Sequence, residues 1–195
     1  MRRITALALA GLLWTSAAVL AADDRTPQGT GLKHFNEVDS GVFKGSKPRS
    51  DADFKYLQSL HIKTVVDLEF LPVPGDKEKK KARKYGIEIL SVKLNASPLS
   101  PSREHIEQAL SMIRDRRCQP VYFHCALGRD RTALVATLYK MYFMGMSPEA
   151  GERYLHASGY KDGWVRSGLT RYLEKHPAPP TAFRSAVKSE SCDRD

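Results

Sequence analysis

The chain has 195 residues, 42% of them hydrophobic and 27% charged, a balance that suits one globular domain with its own core and excludes a fibrous or disordered protein. Its formal charge of +9 favours anionic partners, yet no nucleic-acid motif and no interleaving of aromatic with basic residues accompanies it, so no nucleic-acid partner is expected. Six histidines and three cysteines are scattered without Cys-x-x-Cys or His-x-x-x-His spacing, and the expectation is no metal site and no cofactor.

The N-terminus follows its own pattern. Met1, Arg2 and Arg3 are followed by a run, residues 4–20, that is nearly all apolar or small, and Val19-Leu20-Ala21 offers small-x-small cleavage chemistry before Asp23 and Asp24. Residues 1–21 therefore read as a signal peptide and the protein as exported, periplasmic or secreted. No later run is apolar enough to span a bilayer, so no stable membrane insertion is expected after cleavage. Residues 22–39 read as a lead-in, 40–176 as the folded domain, and 177–195, which opens on Pro177, Pro179 and Pro180, as a flexible tail.

Within the domain, Ser50-Asp51-Ala52-Asp53 has capping-box spacing, and Phe54, Leu57 and Leu60 recur on one helical face. Residues 62–68 are a β-branched run that reads as a buried strand. A charged helix over 76–85 stops at Gly86, and 87–94 reads as a second strand. A strand, helix and strand this closely spaced imply parallel pairing. Ser100-Pro101 reads as the N-cap and first residue of a helix whose stripe is Ile106, Leu110 and Ile113. Residues 120–123 form a short strand and 130–144 a helix, and Ser147-Pro148 and Lys161-Asp162 open two more helices. The expected fold class is α/β, a central, mostly parallel sheet with helices on both faces. Ligands bind such sheets at the carboxyl ends of the strands, so the loops after Leu68, Leu94 and Phe123 should share one mouth.

The loop after Phe123 carries the chemistry. It runs His124-Cys125-Ala126-Leu127-Gly128-Arg129-Asp130-Arg131-Thr132, where a strand gives way to a helix. Amides at a helix start point outward unsatisfied, and the helix dipole adds positive potential. Five residues between Cys125 and Arg131 let the backbone curl into a cradle of N–H groups, with Gly128 free to take a positive φ. Arg131 can close the ring with a planar fork that fits two phosphate oxygens. A thiol at the base of such a cradle is pushed toward the nucleophilic thiolate.

This His-Cys-x-x-Gly-x-x-Arg-Thr loop is similar to the signature of the protein tyrosine phosphatase superfamily. The chain resembles its compact dual-specificity branch and its tyrosine-phosphatase-like, phytase-like members, with the opening Val42-Phe43-Lys44-Gly45-Ser46-Lys47-Pro48 also similar to that of bacterial and fungal atypical dual-specificity phosphatases. The resemblance implies Cys125 as a nucleophile that becomes a phosphocysteine. It implies Arg131 and the amides of Ala126, Leu127, Gly128, Arg129, Asp130 and Arg131 as the phosphate clamp, Thr132 as hydroxyl partner of the sulfur, and His124 as the residue that tunes the thiolate.

One part of the pattern is missing. The family supplies a general-acid aspartate from a loop about thirty residues before the cysteine, but that loop here reads Lys93-Leu94-Asn95-Ala96-Ser97-Pro98-Leu99-Ser100 and holds no carboxylate. Asp130 is the first substitute, because an acid just before the arginine resembles the phosphoinositide-phosphatase branches; a carboxylate at a helix start also answers the dipole alone. Glu69 and Asp76 are the reserves, and a leaving group that needs no proton is the other way out. Low-molecular-weight phosphatases and arsenate reductases place their Cys-x5-Arg loop near the chain start. Rhodanese-like sulfurtransferases do not call for the Gly-x-x-Arg-Thr ending, and a phosphate-binding module without catalysis is the reading the missing acid leaves open.

The expected partner is an anionic phosphorylated substrate, with inositol polyphosphates ahead of phosphotyrosine. Lys77, Lys79, Lys80, Lys81, Arg83 and Lys84 start just past the loop after Leu68, and Lys47, Lys93 and Arg129 are expected near the same mouth. A solvated helix face accounts equally well for the lysine run. In an oxidising compartment an odd cysteine count leaves one thiol free. With Cys125 kept free by its chemistry, Cys118 and Cys192 are the pair available for a bridge between tail and domain. The oligomeric state stays open.

Overall fold

The computed structural model describes residues 25–70, 76–95, 101–161, 163, 167–179 and 192. Residues 1–21, expected to be a signal peptide, and most of the tail lie outside the described residues, as do Ser100 and Asp162. Five strands, β1 (Asn36–Asp39), β2 (Val42–Ser46), β3 (Thr64–Asp67), β4 (Glu88–Ser91) and β5 (Val121–Cys125), form one sheet in the order β1-β2-β5-β3-β4. All neighbours pair in parallel except β1 with β2. The mostly parallel α/β sheet expected from the sequence is therefore present, with β5 at its centre.

Every residue of β5 is buried, as a strand with partners on both sides and helices on both faces must be. Its side chains alternate between two cores: Val121, Phe123 and Cys125 join one, and Tyr122 joins the other. The smaller core lies under α1 (Asp51–Ser59) and α2 (Asp76–Lys84), where Phe54, Leu57, Val65, Ala82, Ile87 and Tyr122 meet. The larger lies under α3 (Arg103–Arg114), α4 (Arg131–Phe143), α5 (Pro148–Ala157) and α6 (Ser167–Lys175). Residues 132–141 of α4 are buried without interruption, because that helix is covered by the sheet and by α3, α5 and α6.

Local signals act as the sequence predicts at several helix starts. Ser50 accepts from the Asp53 amide while Asp53 accepts from the Ser50 amide, the reciprocal capping box. Ser147 caps α5 with Pro148 at its first turn. Elsewhere tertiary structure moves the boundaries. The α3 cap is Ser102, whose hydroxyl accepts from the His105 amide, and not Ser100. Helix α6 spans Ser167–Lys175, and the opening expected at Lys161-Asp162 falls where Asp162 and residues 164–166 lie outside the described residues.

The lead-in is corrected more substantially, because its last residues are β1. Upstream, Leu32 is fully buried, the Ser46 amide donates to Lys33 O at 2.8 Å, and the Gly31 amide donates to Asp53 Oδ1 at 2.7 Å. A four-residue edge strand with one apolar residue, Val38, carries too little pattern to be read alone. The tail is likewise joined to the domain: Cys192 and Cys118, both buried, form a disulfide, the pair the sequence left available. No helix among the described residues is long and apolar enough to cross a membrane.

Candidate active site

β2, β5 and β3 run in parallel and end side by side, so the carboxyl ends of three strands frame one mouth. Ser46, the last residue of β2, lies in register with Cys125, and Asp67, the last of β3, with His124. Between Cys125 and the start of α4 the chain curls, with Gly128 at φ +76°. A Cβ on Gly128 would stand 2.5 Å from the Gly45 carbonyl carbon and 2.6 Å from the Ser46 amide nitrogen, so the curl closes onto the end of β2 and only glycine fits. Gly45 is confined in turn by the Tyr122 hydroxyl, which passes over it and donates to Ser46 O at 2.6 Å.

Cys125 is the free cysteine of the described residues and is 2% exposed at the base of this curl. Ala126, Gly128, Arg129 and Asp130 are partly or fully buried around it, while Leu127 at the tip is exposed. Arg131 opens α4 and its Nη1 donates to Leu68 O at 3.3 Å, which brings the loop after β3 against the curl as expected. Arg131 Nε and the fully buried Thr132 Oγ1 have no hydrogen-bond partner among the described residues. The hydroxyl-to-sulfur bond expected of Thr132 is therefore not made here. Buried donors without partners beside an open helix N-terminus are the structural signature of an anion site.

Asp130 is the N-cap of α4 but makes no side-chain capping bond; its Oδ2 lies 3.9 Å from Arg129 Nε. Glu69, a reserve acid, is paired with the Lys47 ammonium. For Asp76 the backbone alone is described. Lys93 is exposed in the segment after β4. Lys47 does not offer a free charge to the mouth, because Glu69 and Glu78 both hold it, the latter at 2.8 Å. Burial works to lower its pKa, and the two carboxylates outweigh this and raise it.

Two residues that sequence reasoning passed over complete the site. Behind the cysteine, fully buried His124 places Nε2 3.0 Å from Glu78 Oε1 and Nδ1 3.9 Å from Asp67 Oδ1. Burial pushes the Glu78 carboxyl up, but the close approach of His124, joined by the Lys47 ammonium, holds it below the usual range. Burial, with the neighbouring Glu78 and Glu69 charges, raises Asp67 despite the opposing influence of His124. Asp67, Glu69 and Glu78 gather their oxygens within 4.8 Å of one another, and Lys47 is the cation bound to two of them. Asp67 ends a predicted strand and so was findable by position. Glu78 sits in a helix of nine residues, eight of them charged, where composition gives it no distinction.

A free, buried cysteine below the curl that leads into α4 is the arrangement expected of a cysteine-dependent phosphatase. The chain belongs to the tyrosine phosphatase family, whose model matches residues 31–143. It is similar to the inositol diphosphatase DSP2 of Oryza sativa subsp. japonica, with 28% identity over 144 residues, 72% of this chain and 68% of that protein. It is also similar to the inositol diphosphatase DSP3 of Arabidopsis thaliana, with 26% identity over 111 residues, 55% of this chain and 54% of that protein. Among solved structures, the core catalytic domain of the PP-IP phosphatase SIW14 from S. cerevisiae superposes with a TM-score of 0.59 at 21% identity, over 72% of this chain and 83% of that one. P. aeruginosa TpbA superposes with a TM-score of 0.57 at 20% identity, over 73% and 89%. At these identities the solved structures establish the shared fold.

Proposed function

We propose that the chain hydrolyses the diphosphate group of inositol pyrophosphates through a phosphocysteine intermediate. The observation that carries this reading is the free, buried Cys125 beside the unpartnered buried donors of Arg131 and Thr132. The Cys125 thiolate attacks the terminal phosphorus; an S–P bond forms, and the bridging P–O bond breaks with its electron pair leaving on oxygen. Arg131 and the amides of residues 126–131 hold the equatorial oxygens as charge builds. Water then attacks the phosphocysteine, the P–S bond breaks, and inorganic phosphate and the thiolate are released.

The missing acid supports an anhydride over an alkyl ester. An alcohol leaving group needs a proton, whereas a departing phosphate, with a second pKa of about 6, leaves as an anion near neutral pH. The segment that would supply an acid, residues 93–100, has no carboxylate. The two inositol diphosphatases that the chain resembles support the same reading. Phosphate release from a diphosphoinositol polyphosphate, inositol hexakisphosphate and a phosphotyrosine peptide should be fastest for the first, and Cys125→Ser should abolish all turnover. A preference for the peptide would replace this reading with that of a protein phosphatase.

We also propose that the protein is exported. The leader pattern and the Cys118–Cys192 disulfide support this, since disulfides persist in oxidising compartments. Cell fractionation that recovered the unprocessed chain in the cytoplasm would overturn it.

A further inference from the structure

The lysine run of α2 is not one surface. Lys77, Lys80, Lys81 and Lys84 follow the i, i+3, i+4, i+7 spacing of a single helical face, and all four line a cavity of ≈480 Å³ between α2 and the β2–α1 connection. Lys47 and Arg49 enter the same cavity from that connection, and Phe54, stacked on Tyr85, contributes an apolar wall. Lys79 and Arg83 line a separate depression beside residues 86–89.

The helix dipole rewards cations in the last turn of α2, while Glu78 holds Lys47 and the Lys81 ammonium donates to Arg49 O at 2.9 Å, so the Lys47–Arg49 segment is fixed against the same face. Asp51 pairs with Lys81 at 3.2 Å, and Glu69 and Glu78 hold Lys47. No carboxylate among the described residues pairs with Lys77, Lys80 or Lys84, all exposed. The volume falls within the range of small-ligand sites. The cavity lies at the carboxyl edge of the sheet: Lys47 follows Ser46, the register partner of Cys125, and Glu78 reaches from the cavity wall to His124.

We propose that this groove is a second anion-binding site, separate from the cysteine loop, that takes several phosphates of one polyphosphorylated small molecule. The commitment is to the substrate's own phosphates that are not under attack at Cys125, which rests on the inositol pyrophosphate reading. A free polyphosphorylated effector has the same chemistry, and the experiment separates the two.

Inositol hexakisphosphate is titrated calorimetrically into the full Cys125→Ser chain, alone and combined with Lys80→Ala/Lys84→Ala or with Lys79→Ala/Arg83→Ala. Both pairs remove two exposed charges from α2. The first should weaken binding about tenfold and the second less than about twofold. Equal weakening by both pairs, or none by the first, overturns the groove. In the active enzyme the first pair should leave kcat/KM for a small aryl phosphate unchanged and raise KM for the diphosphoinositol substrate. If that KM stays fixed while inhibition by inositol hexakisphosphate weakens, the groove serves an effector and the substrate assignment is wrong. Wild-type enzyme inactive on inositol pyrophosphates would defeat the proposed function, and the calorimetric comparison would still decide the groove.

Discussion

Glu78 Oε1 stands 3.0 Å from Nε2 of His124, so a helix on one face of the sheet meets the residue immediately before Cys125. The contact is buried at both ends, with side-chain exposures of 0% for His124 and 9% for Glu78. Glu78 also holds Lys47, so one carboxylate joins α2, the end of β2 and the base of the Cys125 loop. Glu78→Gln should cost about 1–3 kcal/mol near neutral pH, the range for a buried polar partner left unsatisfied. The sign with pH follows from its lowered carboxyl pKa. Its contribution is full above the ordinary value of 4.5 and is lost as pH falls through the lower folded-state value. Chemical denaturation of both proteins from neutral to acid pH should show the gap closing in acid, and a gap that widens there would contradict the assignment.

Gly128→Ala tests the closure of the loop onto β2. The new methyl meets backbone atoms of Gly45 and Ser46 at 2.5–2.7 Å in a conformation, φ +76°, that L residues rarely adopt. Backbone cannot swing aside as a side-chain end can, so the loop must open. A loss of more than about 1 kcal/mol in stability is expected, together with weaker phosphate binding by the folded protein. An alanine variant with wild-type phosphate affinity would show that the curl does not depend on this contact.

Asp130→Asn separates the two roles open to that carboxylate. If it donates a proton, the loss of rate should be large on alkyl phosphates and small on aryl phosphates or anhydrides, whose leaving groups depart as anions. The proposed function expects little loss on a diphosphoinositol substrate. Equal losses on all three would mark Asp130 as a residue that shapes the cradle at the start of α4.

The disulfide closes a sequence separation of 74 residues between Cys118 and Cys192. A constraint of that length is worth about 4 kcal/mol through the entropy of the unfolded chain. Cys192→Ser should lower the midpoint of denaturation accordingly and leave aryl phosphatase activity at low temperature intact. Mass analysis of the unreduced wild-type protein should find one free thiol, at Cys125.

The signature loop was legible in the sequence because its chemistry is local. Cysteine, glycine turn, arginine and helix start all fall within nine consecutive residues, flanked by a short, mostly aromatic strand and an apolar helix. The capping box at Ser50 and the parallel order of β3 and β4 were readable for the same reason, since spacing along the chain sets them. Edge strand β1 was not readable, because its place comes from pairing with β2 rather than from its own pattern. Nor was the division of the α2 lysines between two surfaces, which required Arg49 and Lys47 to be brought against one face. The contacts of Glu78 and Asp67 with His124 join residues more than forty positions apart in chain order. Sequence sets which groups are available and their local conformation; burial and long-range pairing, which decide how a carboxylate or an ammonium ionises and what it touches, exist only once the sheet has closed around β5.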